Sequence, residues 1–145
     1  MSISSQIAGN PNLALKTVYY TGSDTLLKGY AVCYDQDATI GTDKTSRGNA
    51  VEKPATANLN AFAGIVQQKV TGPAFVEIAV PRRGDHLQVF CDADATAYTT
   101  ALAPQNDSYA LAAHTDATLN LPMVALAAET ADTDTTNANA LAQFL

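Results

Sequence analysis

Between Asn58 and Cys91, apolar and polar residues alternate in short runs broken by glycine and proline. Val76, Ile78 and Val80 fall on one side of an extended chain, and Phe75, Glu77 and Ala79 on the other. A period of two marks a half-buried strand. The stretch predicts three strands, over 62–67, 74–80 and 87–91. Thr71-Gly72-Pro73 turns between the first two, Pro81 ends the second, and Arg82–Asp85 turns into the third. Loops this short predict antiparallel neighbours. Leu59, Phe62, Ala63 and Val66 also show helical spacing. Gly64 would cost about 1 kcal/mol in a helix interior, and a Gly-Pro turn follows, so a strand is preferred.

The same rules place strands on either side. Leu15–Tyr20 alternates, and 26–34 (LLKGYAVCY) forms the next run, with Tyr30, Val32 and Tyr34 on one face and Gly29 marking a bulge or bend. The stretch 35–54 has no period and is rich in Asp, Thr, Gly and Lys, which predicts a long surface loop. After Cys91 comes an Ala/Thr/Asp run to Pro104, then short strands over 108–113 and 123–128, a polar hairpin loop over 129–139, and a final strand over 140–145. Residues 1–14 read as a polar N-terminal arm, with Gly9, Asn10 and Pro11 as breakers, and residues 15–145 as one domain. The fold class is all-β: a compact β-barrel-like or β-sandwich domain with short antiparallel strands and long loops.

Composition narrows this picture. A chain of 145 residues fits one domain with a core of its own. Of its residues 27 are Ala and none is Trp, so that core is thin and favours completion by a partner or by oligomerisation. A net charge of −6, with bases scattered except for Arg82-Arg83, argues against direct nucleic-acid binding. No apolar run approaches the roughly 18 residues of a membrane-spanning helix. The N-terminus lacks the basic and apolar regions of a secretion signal. Cys33 and Cys91 lie in strand-like runs at a spacing that matches no metal or redox motif, and read as buried free thiols.

Candidate chemistry is sparse. Asp92-Ala93-Asp94 and Asp132-Thr133-Asp134 open like calcium loops, but Ala97 and Asn137 stand where the turn glycine belongs, and Ala103 and Gln143 where the bidentate acid belongs. His86 and His114 have no spaced partner for a metal, and no nucleophile elbow or glycine-rich phosphate loop occurs. Arg83-Gly84-Asp85 matches a cell-attachment triplet, yet these are also ordinary turn residues. The expectation is no catalytic residue, no metal and no cofactor. Residue chemistry alone says all-β domain and does not say what the domain does.

The order of segments says more. Leu27-Lys28-Gly29-Tyr30-Ala31-Val32 is followed by a long loop and Val51-Glu52-Lys53-Pro54. Then come Phe62-Ala63-Gly64-Ile65-Val66, Gly72-Pro73 with Val76 to Pro81, and Gly84. Residues 122–130 (PMVALAAET), an Asp/Thr loop and Leu141–Leu145 close the chain. Over roughly residues 26–145 this order resembles the head-decoration, or capsid cement, proteins of tailed bacteriophages. One step departs from their pattern: residues 104–109 (PQNDSY) lack the glycine usual in that hairpin.

The resemblance implies a β-barrel-like body, usually a homotrimer. Such a protein is made in the host cytoplasm and sits on the outer surface of the virion capsid, where it bridges major capsid proteins and stabilises the shell by mass action. The expected contacts are Arg82, Arg83, Asp85 and His86 in the central turn, and Lys44 and Arg47 in the long loop. The competing reading is a host-surface or carbohydrate-binding β-module on the virion, for which Tyr19, Tyr20, Tyr30 and Tyr34 would supply an aromatic platform.

Overall fold

A computed structural model describes residues 13–37, 48–92, 95–114, 123–129 and 138–145. The described chain is all-β. Its strands are β1 (Leu15–Tyr20), β2 (Thr25–Leu26), β3 (Ala31–Tyr34), β4 (Ala50–Glu52), β5 (Phe62–Val66), β6 (Val70–Thr71), β7 (Ala74–Ala79), β8 (His86–Cys91), β9 (Ala101–Pro104), β10 (Leu111–Ala113), β11 (Ala125–Ala127) and β12 (Ala138–Phe144). They form two closed barrels. The first runs β1-β4-β3-β5-β7 and the second β10-β8-β12-β11-β9, with β2 and β6 as a separate pair. Pairing is antiparallel except for β1 with β4 and β8 with β10. The chain completes the first barrel before it crosses to the second at Val80–Asp85.

Two cores follow from this arrangement. Val18, Tyr20, Leu26, Val32, Val51, Val66, Val76 and Ile78 fill the first barrel. Leu87, Val89, Cys91, Leu102, Leu111 and Phe144 fill the second, together with seven alanines. Three of the residues in that second core, Ala31, Ile65 and Ala79, come from β3, β5 and β7 of the first barrel. Each precedes or follows a residue of the first core, so neighbouring side chains point into opposite barrels. These strands form a shared wall buried on both faces. They read as continuous apolar runs where they reach the wall, rather than as simple alternation. The abundance of alanine has its reason here, since a five-stranded barrel has little interior to fill.

Glycine makes the wall close enough. A side-chain carbon on Gly64 would collide with the Ala79 carbonyl oxygen. Gly29, at φ +100°, lies against the backbone of Gln88 and Phe90. It accepts the Phe90 amide at 2.9 Å, a backbone bond between the barrels.

Several expectations change. The run over 26–34 is not one strand: the turn at Gly29 splits it into β2 and β3, and Ala31 and Cys33 are as buried as Val32. The predicted surface loop over 35–54 contains β4, whose Ala50 and Val51 are fully buried. The second and third central strands, β7 and β8, are not neighbours: β7 pairs with β1 and β5, and β8 with β12 and β10. Arg82–Asp85 is therefore a crossover rather than a hairpin turn. β9 lies at the end of the Ala/Thr/Asp run, where no strand was expected. The hairpin lacking glycine still closes, because Asp107 adopts φ 57° and pairs β9 with β10 through a left-handed residue. Residues 1–12 of the arm and 38–47 of the long loop lie outside the described residues.

Candidate docking surfaces

The crossover between the barrels holds four of the six residues singled out from the sequence. Asp85 turns inward, its side chain only 12% exposed, and accepts the Arg82 amide at 2.8 Å and the Arg82 Nε at 3.5 Å. The Gly84 amide donates to the Phe144 carbonyl, and the Phe144 amide donates to the Asp85 carbonyl, each at 2.8 Å. The turn is thus stitched to the end of β12. Arg82 and Arg83 are exposed, while His86 is half-buried at the start of β8. The structure brings these four together; Lys44 and Arg47 lie outside the described residues. All eight Lys and Arg lie at or before Arg83, and eight of the fourteen acids lie after it. The arginine pair marks the boundary between a mixed-charge half and a half with no Lys or Arg.

On another side of the junction, the β9–β10 hairpin reaches back to the first barrel. Lys53 pairs with Asp107 at 2.8 Å, and Asn106 accepts from the Thr56 amide and hydroxyl at 2.8 and 3.0 Å. The Tyr109 hydroxyl donates to Asp24 at 2.8 Å and lies 2.5 Å from that of Tyr20. With its own proton engaged by Asp24, it accepts from Tyr20. Burial, followed by these hydrogen bonds, pushes the Tyr109 phenol above its ordinary range. Tyr30 stacks on Tyr109 at 5.0 Å and packs against Phe90 at 5.1 Å. These contacts hold the barrels as one body.

Tyr20 is therefore a core residue, Tyr30 is enclosed in the junction, and Tyr34 receives Lys16, whose Nζ lies 5.0 Å from the ring centre and 3.3 Å from the hydroxyl. The four tyrosines do not form the platform that the competing reading would use. Half-buried Tyr19 and exposed Phe75 meet edge to face at 5.2 Å directly opposite each other on β1 and β7. Phe75 is 52% exposed, and Leu15, farther along β1, is 53% exposed.

β1 has a second unusual feature. It pairs with β7 over all six residues but with β4 only at Tyr19 and Tyr20. Gly48, just before β4, has φ +80°. Lys16 crosses the gap and donates to the Gly48 carbonyl at 2.5 Å. Among the described residues, nothing pairs with the Leu15–Thr17 backbone on the side of β4.

The remaining polar groups serve the fold. Asn58, 1% exposed, accepts the Ala55 amide and donates to Glu52, both at 2.7 Å. Burial, with help from Asp35 and Asp37 and against the hydrogen bond from Asn58, raises the Glu52 carboxyl. Cys33 and Cys91 are free and buried, as the sequence led us to expect. Burial pushes Cys33 up to about 12, with Glu52 adding to it, and Cys91 up to about 11, with Glu129 adding to it. Such thiols are poor nucleophiles. Asp92 accepts from Gln105 at 2.5 Å. Among the described residues, no group of three or more His, Cys, Asp or Glu is placed to hold a metal ion.

Sequence reasoning missed the β1 edge and the Tyr19–Phe75 pair as a surface. The signal for the pair was present in the period-two placement of Phe75 opposite Val76 and Ile78. No local signal marks the edge, which depends on where β4 stops.

No protein-family model matches the chain, and no curated protein matches it. Among solved structures, the crystal structure of the head fiber gp8.5 N base of bacteriophage phi29 is similar, with a TM-score of 0.58 and 12% identity. The match covers 92% of this chain and 94% of that one. The two chains share a fold over nearly their whole length.

Proposed function

We propose that this chain is a structural protein of a bacteriophage virion, held on the outer surface of the capsid, where it bridges major capsid proteins and stabilises the shell. The observation that carries the reading is the fold shared with the phi29 head fiber base over 92% of the chain. The segment order that resembles capsid decoration proteins supports it independently. The role is non-catalytic, and the free energy of binding to a formed lattice does the work. Two barrels locked by the Tyr20–Tyr109–Asp24 chain suit a clamp, because a rigid body loses little conformational entropy on docking. Exposed Arg82 and Arg83, beside the tied turn, are the proposed contacts to acidic groups on the shell. The working unit is a homotrimer, with no direct nucleic-acid or membrane contact.

The test is to mix the purified chain with shells assembled without it, sediment them, and count bound copies. Saturable binding at a fixed number of copies per capsid protein supports the proposal. Failure to bind removes it.

The Tyr19–Phe75 pair favours one other reading, a carbohydrate-binding surface, because exposed aromatic rings stack on sugars. A glycan array on which the chain binds a defined sugar through Phe75 would promote that reading.

A further inference from the structure

The two barrels are one topology built twice. In chain order the strands of the first are β1, β3, β4, β5 and β7, and those of the second are β8 to β12. In each, the first strand pairs with the third in parallel and with the fifth antiparallel. The second pairs with the third and fourth, and the fourth with the fifth, all antiparallel. The registers coincide as well. Tyr20, between Val51 and Ala74, corresponds to Cys91 between Leu111 and Ala138. Ile65, between Ala31 and Ala79, corresponds to Leu126 between Ala101 and Gln143. The match extends past the strands. The Gly29 amide donates to the Val66 carbonyl and the Tyr98 amide to the Ala127 carbonyl, at the ends of β5 and β11, and Gly29 and Tyr98 both have positive φ.

The junction between the barrels has two sides. On one, Phe90 and Asn139 form a cross-strand pair that lies against Gly29, and Phe144 stacks on Phe62 of the other. In the first barrel, the counterparts of Phe90 and Asn139 are Tyr19 and Phe75, again a cross-strand pair. In the second barrel, the counterparts of Gly29 and Phe62 are Tyr98 and Met123. Phe75, Tyr98 and Met123 are 52%, 63% and 52% exposed. Each barrel thus presents, as an exposed apolar surface, the side of the junction that it does not use within the chain. Charge separates the same way. Eight bases against six acids leave residues 1–83 at +2, and eight acids without a Lys or Arg leave residues 84–145 at −8. A first barrel on a second joins unlike charge, whereas two second barrels repel.

Resting on the reading of the working unit as a homotrimer, we propose that its copies join head to tail, the Tyr19–Phe75 face of one seated on the Tyr98–Met123 face of the next. A closed ring of three needs two different faces on each copy, and the two sides of the junction supply them. The contact does not repeat the junction atom for atom. A side chain at Gly29 would crowd Asn139 and the Phe90 amide, so Tyr98 holds the neighbour farther off. Phe75, in the place of Asn139, fills that gap by ring packing.

The experiment is thiol cross-linking of the full chain with a short bis-maleimide, beside sedimentation of the parent. Phe75→Cys chains mixed with Tyr98→Cys chains give a linked dimer, and neither variant alone gives one; the chain's own Cys33 and Cys91 are buried. Phe75→Asp and Tyr98→Asp each weaken association roughly tenfold or more, with an unchanged circular dichroism spectrum. A parent trimer in which Phe75→Cys links to itself, or in which the mixture gives no linked dimer, overturns the head-to-tail faces and leaves the homotrimer standing. A parent chain that sediments as a monomer throughout the micromolar range overturns both.

Discussion

The hydroxyls of Tyr20 and Tyr109, 89 residues apart in the chain, meet at 2.5 Å across the junction of the two barrels. Tyr20 is 1% exposed, so its hydroxyl depends on this partner. Tyr109→Phe leaves that hydroxyl unsatisfied and is expected to cost about 1–3 kcal/mol. At this chain length that is a drop of roughly 2–12 °C in the melting temperature. Thermal melting followed by circular dichroism checks it, and an unchanged melting temperature would show that the link is not needed.

The shared wall makes a sharper demand at Gly64, where the Ala79 carbonyl occupies the space a side chain would take. Gly64→Ala must push apart two hydrogen-bonded strands and is expected to cost about 3 kcal/mol. Denaturant unfolding measures this directly. Gly84→Ala tests a different cost: space around Gly84 is open, and the strain comes only from its φ of +90°. Its expected cost is smaller, about 1 kcal/mol.

Strand β7 gives a test of which side faces inward. Val76 and Ile78 are fully buried, and Glu77 between them is half-buried. Val76→Asp or Ile78→Asp places an unpaired charge in the first core and is expected to unfold the chain. Glu77→Gln is expected to shift stability by less than about 0.5 kcal/mol. Soluble expression and melting of the three variants decide it.

Glu52 makes stability depend on pH in an unusual direction for a carboxylate. Its folded value is raised above 4.5, so the folded chain binds more protons than the unfolded chain in the window above 4.5. The stability it contributes is complete below that pH and is lost as pH rises through the folded value. Glu52→Gln keeps an oxygen for the Asn58 amide and removes the charge. The variant is therefore expected to gain on the parent as pH rises from 4.5 to 7, with the difference in melting temperature as the readout. A variant that loses ground over the same range would contradict the assignment.

Much of the fold was legible where local pattern and tertiary environment agree. Leu15–Tyr20 reads as a strand from its alternation and is one. The final strand also lies where the sequence placed it, beginning two residues earlier at Ala138. β4 was not legible, because Ala50-Val51-Glu52 is too short to show a period and is a strand only through its partners β1 and β3. The separation of β7 from β8 was hidden for another reason. Arg82–Asp85 has the length and residues of a hairpin turn, and only the second core shows that the chain crosses instead. At Asp107, an aspartate does what glycine was expected to do. For the candidate site, the sequence marked Arg82, Arg83, Asp85 and His86 as one group, but not that Asp85 is tied inward by Arg82.

The proposed role, stabilising a capsid by binding it, has a mechanical consequence. A clamp that spans neighbouring subunits must release before they part, so its removal lowers the barrier to rupture without changing the shape of the shell. The most direct measurement is the thermal rupture temperature of DNA-filled particles with and without the chain, followed by dye access to the DNA. Particles lacking the chain are expected to assemble normally and rupture at a lower temperature, and added chain to restore the parent value. Identical rupture temperatures with the chain present at full occupancy would contradict that role.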